Sequence, residues 1–300
     1  MSSTSPEPSP QAPSNGQWYP PEWPERIRAL TRGELTPVTP RRAATVMLLR
    51  DGDTPGAGPE VHMLRRRASM AFAGGAYAYP GGSVDPRDEG EVGWAGPSPA
   101  EWARLLGTDR AVAQSLVCAA VRETFEEAGV LLAGPDGGSV VADTTGDDWE
   151  RDRAALVDRD QSLAEFLARR QLVLRADLLR PWTRWITPEF ESRRFDTWFF
   201  VAALPAGQRT RNASTEADRT VWTRPGRAAE GYDRGELLMM PPTIATLRQI
   251  QPYGSAAEVL AGAEGRDLTP VLARARLEGD EVVLTWPGHD EFTKRIDHHD

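Results

Sequence analysis

An α/β fold with a mixed β-sheet is predicted by three observations. Short β-branched and aliphatic runs interleave with helical patterns along the chain. Several strand pairs are close enough in sequence to form hairpins. The helical stretches carry their own start and stop signals. The 300 residues are 40% hydrophobic and 26% charged, an ordinary globular composition, and the interleaving favours one domain over two independent ones.

Nine of the 25 prolines fall in the first forty residues. Proline removes backbone donors and fixes φ, so residues 1–38 are expected to form a mostly disordered or surface-draped arm. The folded domain is expected over 39–290, with a flexible tail at 291–300. AATVMLLR, from Ala43, has strand composition, and VHMLRRR is its hairpin partner across the turn-rich DGDTPGAGPE. AYAYPGG alternates with period two and stops at a Gly-Gly turn. Ser98-Pro99-Ala100-Glu101 is a capping box with proline at the first helical position, opening a helix through EWARLLG. Thr108 or Asp109 caps a longer helix over DRAVAQSLVCAAVRETFEEA. Its Val117, Val121, Phe125 and Ala128 share an apolar stripe, and Gly129 stops it. VLL is then expected to be a strand and DQSLAEFLARRQ a short helix. LLRPWTRWITP, RRFDTWFFVAALP and TVWTRP read as strands, PPTIATLRQI and SAAEVLAGA as helices. ARARLEGDEVVLTW reads as a hairpin turning at Gly279.

Composition narrows the function. The formal charge of −9 argues against nucleic-acid binding, which needs clustered Lys and Arg. No apolar run is long enough to span a membrane, and MSSTSPEPSP lacks the basic and apolar parts of a secretory leader; the expected compartment is the cytoplasm. One cysteine, Cys118, excludes an internal disulfide and a multi-cysteine zinc site, and its place on a packed helix reads as a small buried hydrophobe. Three of the four histidines lie in the last dozen residues, so carboxylates must hold any metal.

The chemistry-bearing segment is Arg122-Glu123-Thr124-Phe125-Glu126-Glu127-Ala128-Gly129-Val130. Glu123, Glu126 and Glu127 stand at i, i+3 and i+4, one face of a helix, where like charges repel. A cation would offset that repulsion, and hard oxygen ligands suit Mg²⁺ or Mn²⁺. Arg122 can orient one of the glutamates through its fork. Upstream, the glycines of Tyr79-Pro80-Gly81-Gly82 allow the backbone close to a metal or phosphate.

These residues resemble the box of the Nudix hydrolases, G-x5-E-x7-R-E-U-x-E-E-x-G-U with U a bulky apolar residue. The second half is intact except that Thr124 fills the first U. The first half resembles Gly82 through Asp88, with aspartate in place of glutamate; Glu89 and Gln114 remain alternatives for that position. Between Asp88 and Arg122 lie 33 residues against seven in the pattern. The box is therefore split by an insertion at about 89–114, containing the capped helix, and in this the chain resembles a branch related to the coenzyme A diphosphatases. The resemblance implies a Nudix-type α/β/α sandwich and metal-dependent hydrolysis of a nucleoside diphosphate linked to another moiety. By position it implies Glu126 and Glu127 as metal ligands, Glu123 as ligand or as the group that deprotonates water, the carbonyl of Gly82 as a further ligand, and Arg122 as an orienting residue. Glu216, in a polar loop before a strand, is the candidate for a later acidic residue, with Asp218 as its alternative.

The coenzyme A branch carries L-L-T-x-R-[SA]-x3-R-x3-G-x3-F-P-G-G upstream of the box. Here Gly75 matches, Tyr79 replaces Phe, Arg66 falls on the first Arg, and Ala71 stands where the second belongs. The three consecutive arginines Arg65, Arg66 and Arg67, on a strand beside the active loop, are expected to hold substrate phosphates; Arg65 and Arg67, with Gly81 from the loop, are the named candidates. Arg193, Arg194 and Asp196 resemble the same branch, and Arg194 is the further substrate candidate; adjacent strand residues face opposite sides, so one arginine at most reaches a pocket. Trp182, Trp185, Trp198 and Trp222 read as core packing. The implied substrate is a small nucleotide-type molecule, coenzyme A or an acyl-CoA, or else ADP-ribose or another nucleoside diphosphate derivative, with a non-catalytic ligand-binding module as the reading from another class. Neither nucleic acid nor membrane is an expected partner, and a homodimer is left open.

Overall fold

A computed structural model describes residues 19–52, 56–70, 73–214, 216–279 and 281–292. In chain order the elements are α1 (Trp23–Thr31), β1 (Arg41–Asp51), β2 (Pro59–Arg66), β3 (Tyr77–Ala78), β4 (Gly81–Ser83), β5 (Trp94–Ala95), α2 (Pro99–Leu106), α3 (Arg110–Ala128) and β6 (Ala133–Gly134). There follow α4 (Asp147–Val157), α5 (Leu163–Arg169), β7 (Val173–Arg175), β8 (Arg180–Ile186), β9 (Phe195–Ala203), β10 (Ala217–Thr223), α6 (Pro225–Asp233), α7 (Pro241–Ile250), α8 (Ala256–Ala261), β11 (Val271–Leu272), β12 (Arg274–Glu278), β13 (Glu281–Trp286) and β14 (His289–Phe292).

The central sheet runs β10-β2-β1-β9-β8-β11, with β3 added to β2 and β4 to β1. It is mixed: β1 pairs antiparallel with β2 and β4 but parallel with β9. Strand alternation divides the apolar residues between two layers. Ala44, Val46 and Leu48 of β1, with Trp198, Phe200 and Ala202 of β9, face a core built with α2, α3 and α5. Met47, Leu49, Phe199 and Val201 face the other, built with α1, α6, α7 and α8. This is the α/β/α sandwich expected from the sequence.

The capping signals operate as read. Ser98 and Glu101 form the reciprocal box of α2, Asp109 accepts from the Val112 amide to cap α3, and Gly129 ends α3 at φ 70°. α3 is buried on more than its apolar stripe, because Leu116, Cys118, Ala119 and Ala120 are also covered. α2 packs beside it. Residues 110–121, the end of the interval between the two box halves, extend α3 at its N-terminal side.

Two expectations are corrected. Val130-Leu131-Leu132 joins no strand. It is a fully buried segment in which Gln208 accepts from the Leu131 amide (2.8 Å) and donates to its carbonyl (2.9 Å), while the Leu132 carbonyl accepts from the Arg175 amide of β7 (3.0 Å). The arm does not extend to residue 38. Trp23 and Ile27, one helical turn apart, bury themselves under the sheet. Trp23 meets Phe190 edge-on at 5.1 Å, and Arg26 Nε donates to the Phe190 carbonyl (2.6 Å). Residues 1–18 of the expected arm and 293–300 of the expected tail lie outside the described residues. Trp23→Ala should therefore cost about 3–5 kcal/mol of stability, read by urea unfolding. A truncation starting at residue 37 should lower the unfolding midpoint in the same way.

Candidate active site

β4 and α3 bring the two halves of the box together. β4 pairs with the first half of β1, with Gly82 opposite Ala44 and Gly81 opposite Thr45, and α3 packs across both strands. The amide of Gly81 donates to Glu127 Oε2 at 2.8 Å. A β-carbon at Gly82 would lie within 2.8 Å of all three carboxyl atoms of Glu123. The glycine bend is thus pressed directly against the acidic face, and a side chain at Gly82 would displace the carboxylate of Glu123.

Arg122 organises the carboxylates. Its guanidinium donates to both oxygens of Asp88 (2.8 and 3.0 Å), to Glu123 Oε1 (2.8 Å), to both oxygens of Glu126 (3.3 Å each) and to the Ser83 carbonyl (3.0 Å). Asp88 is wholly buried and also accepts from the Asp85 amide in the capping box of the 3-10 turn at Pro86–Glu89. Of the three candidates for the first acidic position of the box, Asp88 is the one held against Arg122. Glu89 is exposed, and Gln114 is occupied with the Gly90 carbonyl. Thr124 is buried in its apolar position because its hydroxyl donates to the Ala120 carbonyl (2.7 Å), leaving no unmatched polar group. Below the acidic face, Arg153 donates to the Glu126 carbonyl (2.8 Å) near the end of α3.

The site carries excess negative charge. Burial, with repulsion from Glu126 and Asp88, outweighs the pull of Arg122 and lifts the Glu123 carboxyl to about 7. Burial likewise raises Glu126, against Arg122. Glu127 is raised well above the carboxylate range by burial and by the charge of Glu123 and Glu216, against the Gly81 amide and Arg66. Among the described residues no three acidic, His or Cys side chains are drawn together as a preformed metal cluster. In this arrangement Glu123 and Glu126 turn to Arg122 and Glu127 to Gly81.

The outer residues divide. Glu216 reaches the site: its charge acts on Glu127, it lies 3.6 Å from Arg66, and its carbonyl accepts from the Arg67 amide (2.8 Å). Arg67 is exposed at the end of this contact. Arg65 is displaced from its expected role: it alternates onto the other face of β2 from Arg66 and is held by Asp218 (2.7 Å). Asp218 is thereby occupied as well. Arg194 is also corrected. It is buried and donates to the carbonyls of Thr187 (3.0 Å) and Val38 (2.8 Å), tying chain segments together instead of facing a substrate. Of the three consecutive arginines it is Arg66, aligned with the first Arg of the branch motif, that turns to the acidic site. Its guanidinium faces Glu216, it acts on Glu127, and its buried Nε has no acceptor among the described residues. Trp182, Trp185 and Trp198 are core residues, and Trp222 is half-buried beneath Arg50. Cys118 is buried, its thiol pushed up to about 12 chiefly by that burial.

Residues 99–250, about half of the chain, match the family described as the NUDT19 Nudix domain. The chain is 24% identical over 287 residues to the acyl-coenzyme A diphosphatase NUDT19 of Xenopus laevis, covering 79% of this chain and 72% of that protein. It is 26% identical over 290 residues to the Homo sapiens protein of the same name (81% and 75%). Among solved structures it resembles a NUDIX hydrolase from Alicyclobacillus acidocaldarius, with a TM-score of 0.62 and 27% identity, covering 75% of this chain and 96% of that one.

Proposed function

The chain belongs to the NUDT19 Nudix domain family of hydrolases, and from that premise we propose that it is an acyl-CoA diphosphatase. It would add water across the diphosphate of coenzyme A or an acyl-CoA, releasing adenosine 3′,5′-bisphosphate and the 4′-phosphopantetheine product. The observation that carries the reading is the half-buried acidic face of α3, Glu123, Glu126 and Glu127, pressed against the Gly81-Gly82 bend. The names of the relatives supply the substrate class. An acidic face that had lost its chemistry would not need three crowded, half-buried glutamates, which argues against a non-catalytic binding module.

The donor set fits a hard divalent cation. Three carboxylates, Asp88, Glu123 and Glu126, crowd one buried guanidinium, and a fourth, Glu127, is held beside them by the Gly81 amide. Glu123, Glu126 and Glu127 would hold Mg²⁺ or Mn²⁺, which when bound neutralises the diphosphate and acidifies water. Arg122, anchored by Asp88, fixes the orientation of Glu123 and Glu126. Glu123, oriented by Arg122 beside the Gly82 bend, would act either as one of these ligands or as the group that takes the proton of the attacking water. Glu216 extends the acidic rim, and Arg66, loosely paired, is free to exchange Glu216 for a substrate phosphate. The compartment we propose is the cytoplasm.

The deciding experiment incubates the protein with coenzyme A, an acyl-CoA, ADP-ribose, NADH and nucleotide sugars, with Mg²⁺ or Mn²⁺, and resolves the products chromatographically. Cleavage of the coenzyme A compounds to adenosine 3′,5′-bisphosphate at the highest kcat/KM is expected; preference for ADP-ribose would overturn the substrate assignment. Arg66→Ala should raise KM about tenfold, while Arg65→Ala, on the other face of β2, should leave it within about twofold.

A further inference from the structure

At the end of β2 remote from Arg66, a cleft of about 840 Å³ opens between residues 56–60, the end of β10, the start of α6 and the chain after α7. Glu60, on its wall, lies six residues of extended strand from Arg66, roughly 20 Å at about 3.3 Å per residue. The cleft is therefore separate from the acidic site.

The polar groups of its wall are unevenly matched. Glu60 accepts two hydrogen bonds from Arg50 (2.8 and 2.7 Å). Glu230 faces Arg234 at 3.8 Å, and Arg234 is held by Glu236 (2.7 and 2.8 Å). Every carboxylate lining the cleft thus has a cation. The guanidinium groups of Arg224 and Arg227 have no hydrogen bond or ion pair to any described residue, and neither has the side-chain amide of Gln251, which lies over Gly226. One aromatic wall is preorganised: Trp222 is fixed through its Nε1 to Thr210 (2.8 Å), and Arg50 sits 4.4 Å from its ring centroid. The unsatisfied charged groups of the cleft are both cations, in a chain of net charge −9, and the Gln251 amide adds a further donor. A wall with two spare cations and no spare carboxylate selects an anion, and guanidinium forks suit phosphate oxygens. The volume suits a nucleotide-sized molecule.

We propose that this cleft is a second binding site, taking the phosphate monoester of a nucleotide-sized ligand on Arg224 and Arg227, with its ring system beside Trp222. The test is calorimetric titration of the full chain with AMP, adenosine and inorganic phosphate in EDTA, which removes metal-dependent binding at the acidic site. AMP should bind saturably and equally to the wild type and to Glu127→Gln, inorganic phosphate should compete with it, and adenosine should bind far more weakly. Arg224→Gln combined with Arg227→Gln should weaken AMP about tenfold or more while leaving turnover without AMP unchanged. Absent AMP binding, equal affinity for adenosine, equal affinity in the double variant, or loss in Glu127→Gln alone would each overturn the proposal.

Discussion

Glu127→Gln is expected to lower metal-dependent turnover by roughly a thousandfold while leaving the fold intact or strengthening it. The two effects have one cause. Glu127 is buried beside Glu123 and close to Glu216, and its carboxyl is raised well above its ordinary range, so the folded chain disfavours its charge. Glutamine has the same shape, can still accept from the Gly81 amide, and carries no charge to repel Glu123. A raised folded-state value means that the ionised carboxylate weakens the fold increasingly as pH rises above the carboxylate range. In EDTA the variant should therefore melt no lower than the wild type, and its advantage should widen with rising pH. In Mg²⁺ or Mn²⁺ the order should reverse, because only the wild type gains from the cation. Thermal melts with and without metal, beside a turnover assay, check both halves. Full activity in the variant would remove Glu127 from the chemistry, and a collapse of the fold in EDTA would show that its charge is structural.

What could be read from the sequence was what is local. Glu123, Glu126 and Glu127 lie within five residues, and helical spacing alone puts them on one face. The Ser98 box, the Asp109 cap and Gly129 act within one turn of themselves. The matching of Asp88 to Arg122 was legible only through the family pattern, because 34 positions separate them. The failures share a non-local cause. Val130-Leu131-Leu132 has strand composition, but the backbone of Leu131 pairs with a glutamine 77 positions on. Arg194 looked available, but its guanidinium is spent on carbonyls at Thr187 and Val38. On β2 the run Val61-His62-Met63-Leu64 is buried on both faces, so no polar alternation marks which of Arg65 and Arg66 faces α3. In α1 the prolines outweighed Trp23 and Ile27, two residues that suffice to anchor a short helix once a core is there to receive them.

The two glycines of the bend should respond differently to the same methyl group. At Gly82 the added β-carbon meets only the carboxyl end of Glu123, a flexible side chain, and the backbone there pairs as an ordinary strand opposite Ala44. Gly82→Ala should fold, with a stability change within about 1 kcal/mol, but Glu123 must swing aside and weaken its hydrogen bond to Arg122. A displacement of about 1 Å in a reacting group costs on the order of a hundredfold in rate, so activity should fall by about that factor. At Gly81 the β-carbon would lie 2.6 Å from the Ala44 carbonyl oxygen and 2.7 Å from the Thr45 Cα, backbone atoms of β1 that cannot step back without breaking the sheet. Gly81→Ala should lower the unfolding midpoint substantially, through overpacking worth about 1–3 kcal/mol or more. Melting temperature and kcat measured on the pair separate the roles. Gly82→Ala with wild-type activity would mean that the carboxylate of Glu123 need not stay against the bend, and the role of ligand or proton acceptor assigned to it would fall with that result.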